Sequence, residues 1–130
     1  RMPRRYASIE EAFARMQGEN KHLAPEQARH LTVHGVNQNE DGTYSWKFDN
    51  YVRSWAPYDI PDDELRALWG RITCPTLLVF GTESWATDPR TDGRAEHFQN
   101  AEVSEVENAG HWVHHDQLET FLKLTEDFIA

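Results

Sequence analysis

"EVENAGHWVHHDQLETFLKLTEDFIA", residues 105–130, closes the chain. An acidic, apolar run stops at Asn108-Ala109-Gly110, His111 follows at once, and His114 and His115 come just before an amphipathic segment. The run reads as a strand. Residues 116–129 read as a helix with Leu118, Phe121, Leu122, Thr125, Phe128 and Ile129 on one face. Gly110 permits a sharp turn between the two, so His111 falls on a loop beyond the carboxyl end of a strand. In open α/β sheets that is where ligands bind. An imidazole titrates near neutrality and can take a proton from a hydroxyl and return it to a leaving group. Spacing alone fits equally well a loop histidine that merely precedes a helix.

A second apolar run lies upstream. "CPTLLVFG", residues 74–81, is bounded by Pro75 and Gly81 and has the look of a strand buried on both faces. "DPRTDGRAEHFQN", residues 88–100, is helix-capable. Strand, helix, strand, helix predicts parallel strands with crossover helices, an α/β arrangement. Two parallel strands do not make a stable sheet unaided, so the pattern predicts the edge of a larger sheet. A first residue Arg1 rather than Met fits a chain that was processed or belongs to something longer. "RMPRRY" is too short and polar for a targeting segment.

The N-terminal part has a different character. Ser8-Ile9-Glu10-Glu11 is a capping box, followed by Ile9, Ala12, Phe13 and Met16 at helical spacing up to about Gly18. A second helix is expected from Pro25 through Ala28 and Leu31 to Gly35. Asp41-Gly42 signals a turn, and Tyr44, Trp46 and Phe48 alternate with polar residues as in a short strand. Prolines break the chain near "APYDIPDDEL", residues 56–65; Asp62, Asp63 and Glu64 then suit a helix start, with Leu65, Leu68 and Trp69 on its buried side.

Composition bounds the function. The 130 residues are 38% hydrophobic and 27% charged, a globular balance, and the formal charge of -9 argues against nucleic acid or an anionic membrane as partner. No apolar run is long enough to cross a bilayer. The single cysteine, Cys74, makes no internal disulfide and fits a reducing, cytoplasmic location.

"ITCPTLLVFGTESW", residues 72–85, followed by "NAGHWVHHDQLETFLKLTEDF", residues 108–128, resembles the C-terminal part of an α/β hydrolase. In that family the penultimate strand ends in a glycine-led loop that often carries the triad acid. The last strand is followed by the catalytic histidine, usually as A-G-H or G-H. The resemblance implies a partial α/β-hydrolase fold: a helical lid over residues 1–69 and a C-terminal α/β core segment over residues 70–130. "WKFD", residues 46–49, resembles lid sequences of the family. His111 would be the general base.

The family commonly places an aspartate three residues after the strand-ending glycine, where this chain has Ser84. The acid is therefore expected at Glu83, with Asp88 or a residue upstream of Arg1 as alternatives. No serine lies in a Gly-x-Ser-x-Gly setting, and Cys74 stands in a packing position at the wrong end of its strand, so the nucleophile and oxyanion hole are missing. Trp85 and Trp112, each beside a candidate catalytic position, are expected to line a substrate pocket or to pack. His111, His114, His115 and Asp116 do not form a convincing metal set, because Gly110 puts His111 outside the helix and no second ligand locus appears. No metal and no cofactor are expected.

The resemblance thus implies part of an esterase-like or C–C/epoxide-hydrolase-like enzyme for a small apolar substrate, inactive alone. Its expected partners are the substrate and either the N-terminal half of the same hydrolase or a second copy of the chain. The competing expectation is a non-catalytic interaction or dimerisation module built on the same partial fold.

Overall fold

The computed structural model describes residues 4–53 and 59–130; Arg1, Ser54, Trp55, Pro57 and Tyr58 lie outside the described residues. The chain divides into two compact units, residues 1–57 and 58–130. Each has its own small core.

In the first unit the capping box forms. Ser8 is extended and its hydroxyl accepts the Glu11 N–H at 3.2 Å, starting α1 (Ile9–Glu19). Glu11 reaches back to the Ala7 N–H at 2.7 Å, one residue before the cap. Proline opens α2 (Pro25–Gly35), where its missing N–H is no loss. Ala12 and Ala28 are fully buried. Arg29 grips Glu10 with two bonds of 2.9 and 2.7 Å while lying over the Phe13 ring, tying α2 to α1. Both charges are exposed, so the pair fixes the helices' register more than their stability.

Chain direction then reverses. β1 (Val36–Gln38), which the sequence pattern does not reveal, pairs antiparallel with the expected β2 (Tyr44–Trp46). Gly42 supplies the left-handed residue of the turn, with φ at 80°. The Trp46 indole meets Tyr6 edge-on and donates to its hydroxyl at 3.2 Å. Tyr6, Ala12 and Val36 form the core beneath them.

The second unit begins with α3 (Asp62–Trp69), whose first turn carries the three expected acidic residues. Its Trp69 stacks on Phe98 at 5.6 Å, whereas Leu68, expected on the buried side, is half exposed. β3 (Thr76–Gly81) and β4 (Ala101–Val106) pair in parallel, with Thr76 opposite Ala101 and Gly81 opposite Val106. Parallel pairing and order agree with the sequence pattern. Burial does not: Thr76 to Phe80 are only partly covered, because among the described residues β3 has a strand neighbour on one side alone. Cys74, expected in a packing position, is exposed.

The crossover also departs from expectation. Residues 88–100 carry a single 3-10 turn, Ala95–His97, in place of an α-helix. Asp88 accepts the Arg90 N–H and Asp92 accepts the Arg94 N–H, and Gly93 adopts φ of 81°. Aspartates that bond the backbone two residues on compete with helix formation, and here they win.

The closing helix is broken at Gln117 into α4 (Val113–Asp116) and α5 (Leu118–Ile129). The buried face of α5 is narrower than the expected stripe. Phe121 and Leu124 pack on Val106, Ala109 and Val113, while Leu118, Leu122 and Ile129 are exposed.

Ser8→Ala removes one accepting group from the first turn of α1. It is expected to lower the stability of the first unit by about 1 kcal/mol. The check is a lower urea midpoint with an unchanged slope.

Candidate active site

The position of His111 is decided at Gly81. A Cβ there would lie 2.3 Å from the Ala109 carbonyl oxygen and 2.4 Å from that of Gly110. Real side chains never come so close, so only glycine lets the loop after β4 cross the end of β3. The crossing is stitched by backbone bonds: Thr82 N–H to the Val106 carbonyl at 3.0 Å, and Glu83 N–H to the Ala109 carbonyl at 2.9 Å. The Thr82 hydroxyl accepts the Asn108 N–H at 3.2 Å. Asn108 takes φ of 54°, a left-handed conformation that asparagine tolerates better than most residues.

The helical side holds the same loop. Asp116 accepts the Gly110 N–H at 2.8 Å, and the Gln117 amide donates to the Asn108 carbonyl at 3.2 Å. The sequence pattern singles out none of Gly81, Thr82, Asp116 or Gln117 as builders of the site. Gly81 carries the one visible signal, a glycine at a strand end, and its reason is space. Asp116 and Gln117 carry none, since their partners are backbone groups six and nine residues back.

On this frame His111 itself is exposed, and its Nδ1 lies 3.1 Å from Ser84 Oγ. Ser84 is held in turn. Its N–H donates to the Gly81 carbonyl at 3.0 Å, and its Oγ accepts the Ala86 N–H at 3.1 Å. The indole of Trp85 lies against the imidazole, with centroids 4.2 Å apart and planes 30° off parallel. The structure therefore brings His111, Ser84 and Trp85 together.

The other expected residues lie around this group. Glu83 is exposed and contributes its backbone N–H to the crossing. Asp88 is held by Arg90, whose Nε and Nη2 donate at 2.9 and 2.7 Å, and Arg90 bridges on to Glu105 at 2.7 Å. The Arg90 bonds hold the Asp88 carboxyl below its usual value. Trp112 lies 5.7 Å from the His115 ring, and His114 sits between His115 and Phe121. Among the described residues, no three His, Cys, Asp or Glu side chains are grouped to hold a metal ion.

A cavity of about 370 Å³ lies beside these groups. Leu77, Leu78, Val79, Phe80 and Gly81 all line it. Consecutive strand residues point to opposite faces, so a cavity touching all five runs along the outer edge of β3. Phe98 and Trp69 extend its apolar wall, and Ser84 and His111 stand at the strand's carboxyl end. Nδ1 faces Ser84, and Nε2 is the other ring nitrogen. The Ser84 hydroxyl is neutral and cannot offset an imidazolium charge as a carboxylate does.

Two parallel strands, a crossover, a histidine loop at the strand tips and a closing helix make up part of the α/β-hydrolase fold. Solved hydrolases superpose on nearly the whole chain. An M. tuberculosis esterase matches 97% of it with a TM-score of 0.80 and 20% identity, using 42% of its own length. The thioesterase domain from the curacin biosynthetic pathway matches 98% with a TM-score of 0.83 and 19% identity, using 46% of its length. E-2-(acetamidomethylene)succinate hydrolase matches 98% with a TM-score of 0.78 and 19% identity, using 47% of its length. The chain spans less than half the length of each. No family model and no curated protein matches the sequence. Among the described residues no helix is long and apolar enough to cross a membrane.

Two outcomes follow from the loop's packing. Gly81→Ala drives a methyl group into the Ala109 and Gly110 carbonyls and is expected to destabilise the second unit by about 1–3 kcal/mol, measured by denaturant unfolding. His115 is lowered from the ordinary imidazole value, first by burial and then by His114, against a smaller opposing effect of Asp116. Its neutral form is thus the favoured one in the folded unit. That contribution is complete above the unfolded imidazole's value of about 6.5 and is lost as pH falls through the lower folded value. Stability of the second unit should drop from pH 7 toward pH 5, and less steeply in His115→Gln.

Proposed function

We propose that this chain supplies the lid and the histidine-bearing end of an α/β hydrolase, an esterase-like or C–C/epoxide-hydrolase-like enzyme for a small, largely apolar substrate. The observation that carries this reading is His111: an imidazole fixed at the carboxyl end of a parallel strand, on a loop that Gly81 alone makes room for, opening on an apolar cavity. In such an enzyme a serine or aspartate on a strand-to-helix turn attacks the substrate. His111 takes the proton at Nε2 and returns it to the leaving group or activates water. The nucleophile and the oxyanion donors come from polypeptide beyond these 130 residues. Glu83 remains the candidate carboxylate of the loop, and Trp85 and Trp112 remain the candidate substrate contacts. The apolar wall of Leu77, Val79, Phe80 and Phe98 supports an apolar substrate.

The 130-residue chain alone is expected to show no turnover of p-nitrophenyl butyrate above buffer. The longer polypeptide that carries it should lose 10²- to 10⁴-fold, roughly, on His111→Ala. Turnover by the chain alone that disappears with His111→Ala would overturn the division of nucleophile from base. A longer polypeptide indifferent to that substitution would overturn the role of His111.

A second reading draws on the outer edge of β3, which has no strand partner among the described residues, since an unpaired strand edge is a template for association. It makes the chain a non-catalytic module that pairs with a second copy, and sedimentation as a stable dimer with inactive longer forms would favour it.

A further inference from the structure

We infer that Ser84 and Trp85 act together as positioning residues for His111, a hydroxyl-and-indole clamp standing where related folds use a carboxylate; this rests on His111 being the base proposed above. Four contacts carry it. Ser84 Oγ meets Nδ1 at 3.1 Å, and the same oxygen accepts the Ala86 N–H at 3.1 Å, which fixes its direction. The Ser84 N–H is tied to Gly81 at 3.0 Å, so the hydroxyl is mounted on the strand end that the histidine loop crosses. The Trp85 indole covers one ring face at 4.2 Å.

The hydroxyl serves every protonation state of the ring. With one of its lone pairs on Ala86, it still offers a lone pair to an Nδ1–H or its own proton to a bare Nδ1. The ring therefore keeps its place as the proton comes and goes. A carboxylate only accepts and favours the charged ring; the serine holds position without that bias.

A contact between a cation and an aromatic face at an exposed site is weak. Loss of the aspartate's proper role in a Ser-His-Asp triad costs about 10⁴-fold in turnover. The stack is far too weak to replace a carboxylate's charge, so the clamp's work is orientation. Trp85 is 82% exposed, which makes packing a poor explanation for its placement.

The test reads the clamp in the 130-residue chain itself, without any activity, so its failure and that of the hydrolase reading are distinguishable. A protonated imidazole against an indole quenches its fluorescence by accepting an electron from the excited state. Tryptophan emission should therefore fall in a step as pH drops through the histidine range, about pH 8 to 5. Trp69 and Trp112 also lie near histidines, so the relevant quantity is the part of the step lost on His111→Gln. Trp85→Leu should remove that same part, Ser84→Ala should reduce it at least twofold, and Ser84→Thr should restore it. His111 and Trp85 are both exposed, so neither change opens the core; far-UV circular dichroism confirms that the folds are equal. An emission step unchanged by His111→Gln or by Trp85→Leu would overturn the clamp. So would a full step in Ser84→Ala.

Discussion

The structure of the second unit turns on one close approach. At Gly81 the end of β3 meets the carbonyls of Ala109 and Gly110 with no space for a methyl group. Everything that gives His111 a defined place depends on it. The Glu83 N–H finds the Ala109 carbonyl, Ser84 turns back to Gly81, and the imidazole and the serine hydroxyl come within hydrogen-bond distance. Buried Ala109 and Gly110 sit directly over the Val106 and Val113 core, so the same contact that builds the site also closes the apolar cluster. Site and stability share one joint.

At His111 Nδ1 that joint presents a hydroxyl. Three carboxylates of the surrounding segments are engaged in fold maintenance: Asp88 and Asp92 cap turns of the crossover, and Asp116 holds the Gly110 N–H. The group facing Nδ1 is a hydroxyl. A hydroxyl fixes where a ring sits; a carboxylate also stabilises the charge it gains. The contact at Nδ1 therefore fixes the ring's place without adding a charge beside it.

Much of this was legible in the sequence, for identifiable reasons. The capping box at Ser8, the proline start of α2 and the apolar run of β3 are local signals with local causes, and each element forms; before His111 the left-handed residue is Asn108 and not the expected Gly110. The alternation at Tyr44 and Trp46 revealed β2. Its partner β1 stayed hidden because three residues, of which only Val36 is buried, leave no period to detect. Residues 88–100 mislead because helix-capable composition is outweighed by two aspartates that bond the backbone. α5 misleads in another way: its apolar stripe is wider than the face the two-stranded sheet covers, so Leu118, Leu122 and Ile129 remain exposed. Within the site, His111 could be singled out by its place in a pattern. The builders around it could not, because Gly81, Asp116 and Gln117 act on backbone atoms of the loop after β4.

Amide hydrogen exchange tests the joint most directly. If the loop is locked across the end of β3, the amides of Thr82, Glu83 and Gly110 exchange as slowly as those inside β3 and β4 and lose protection together with them. Coil-like exchange at these three amides beside protected strands would mean that the loop does not rest on Gly81, and the basis for a placed His111 would be gone.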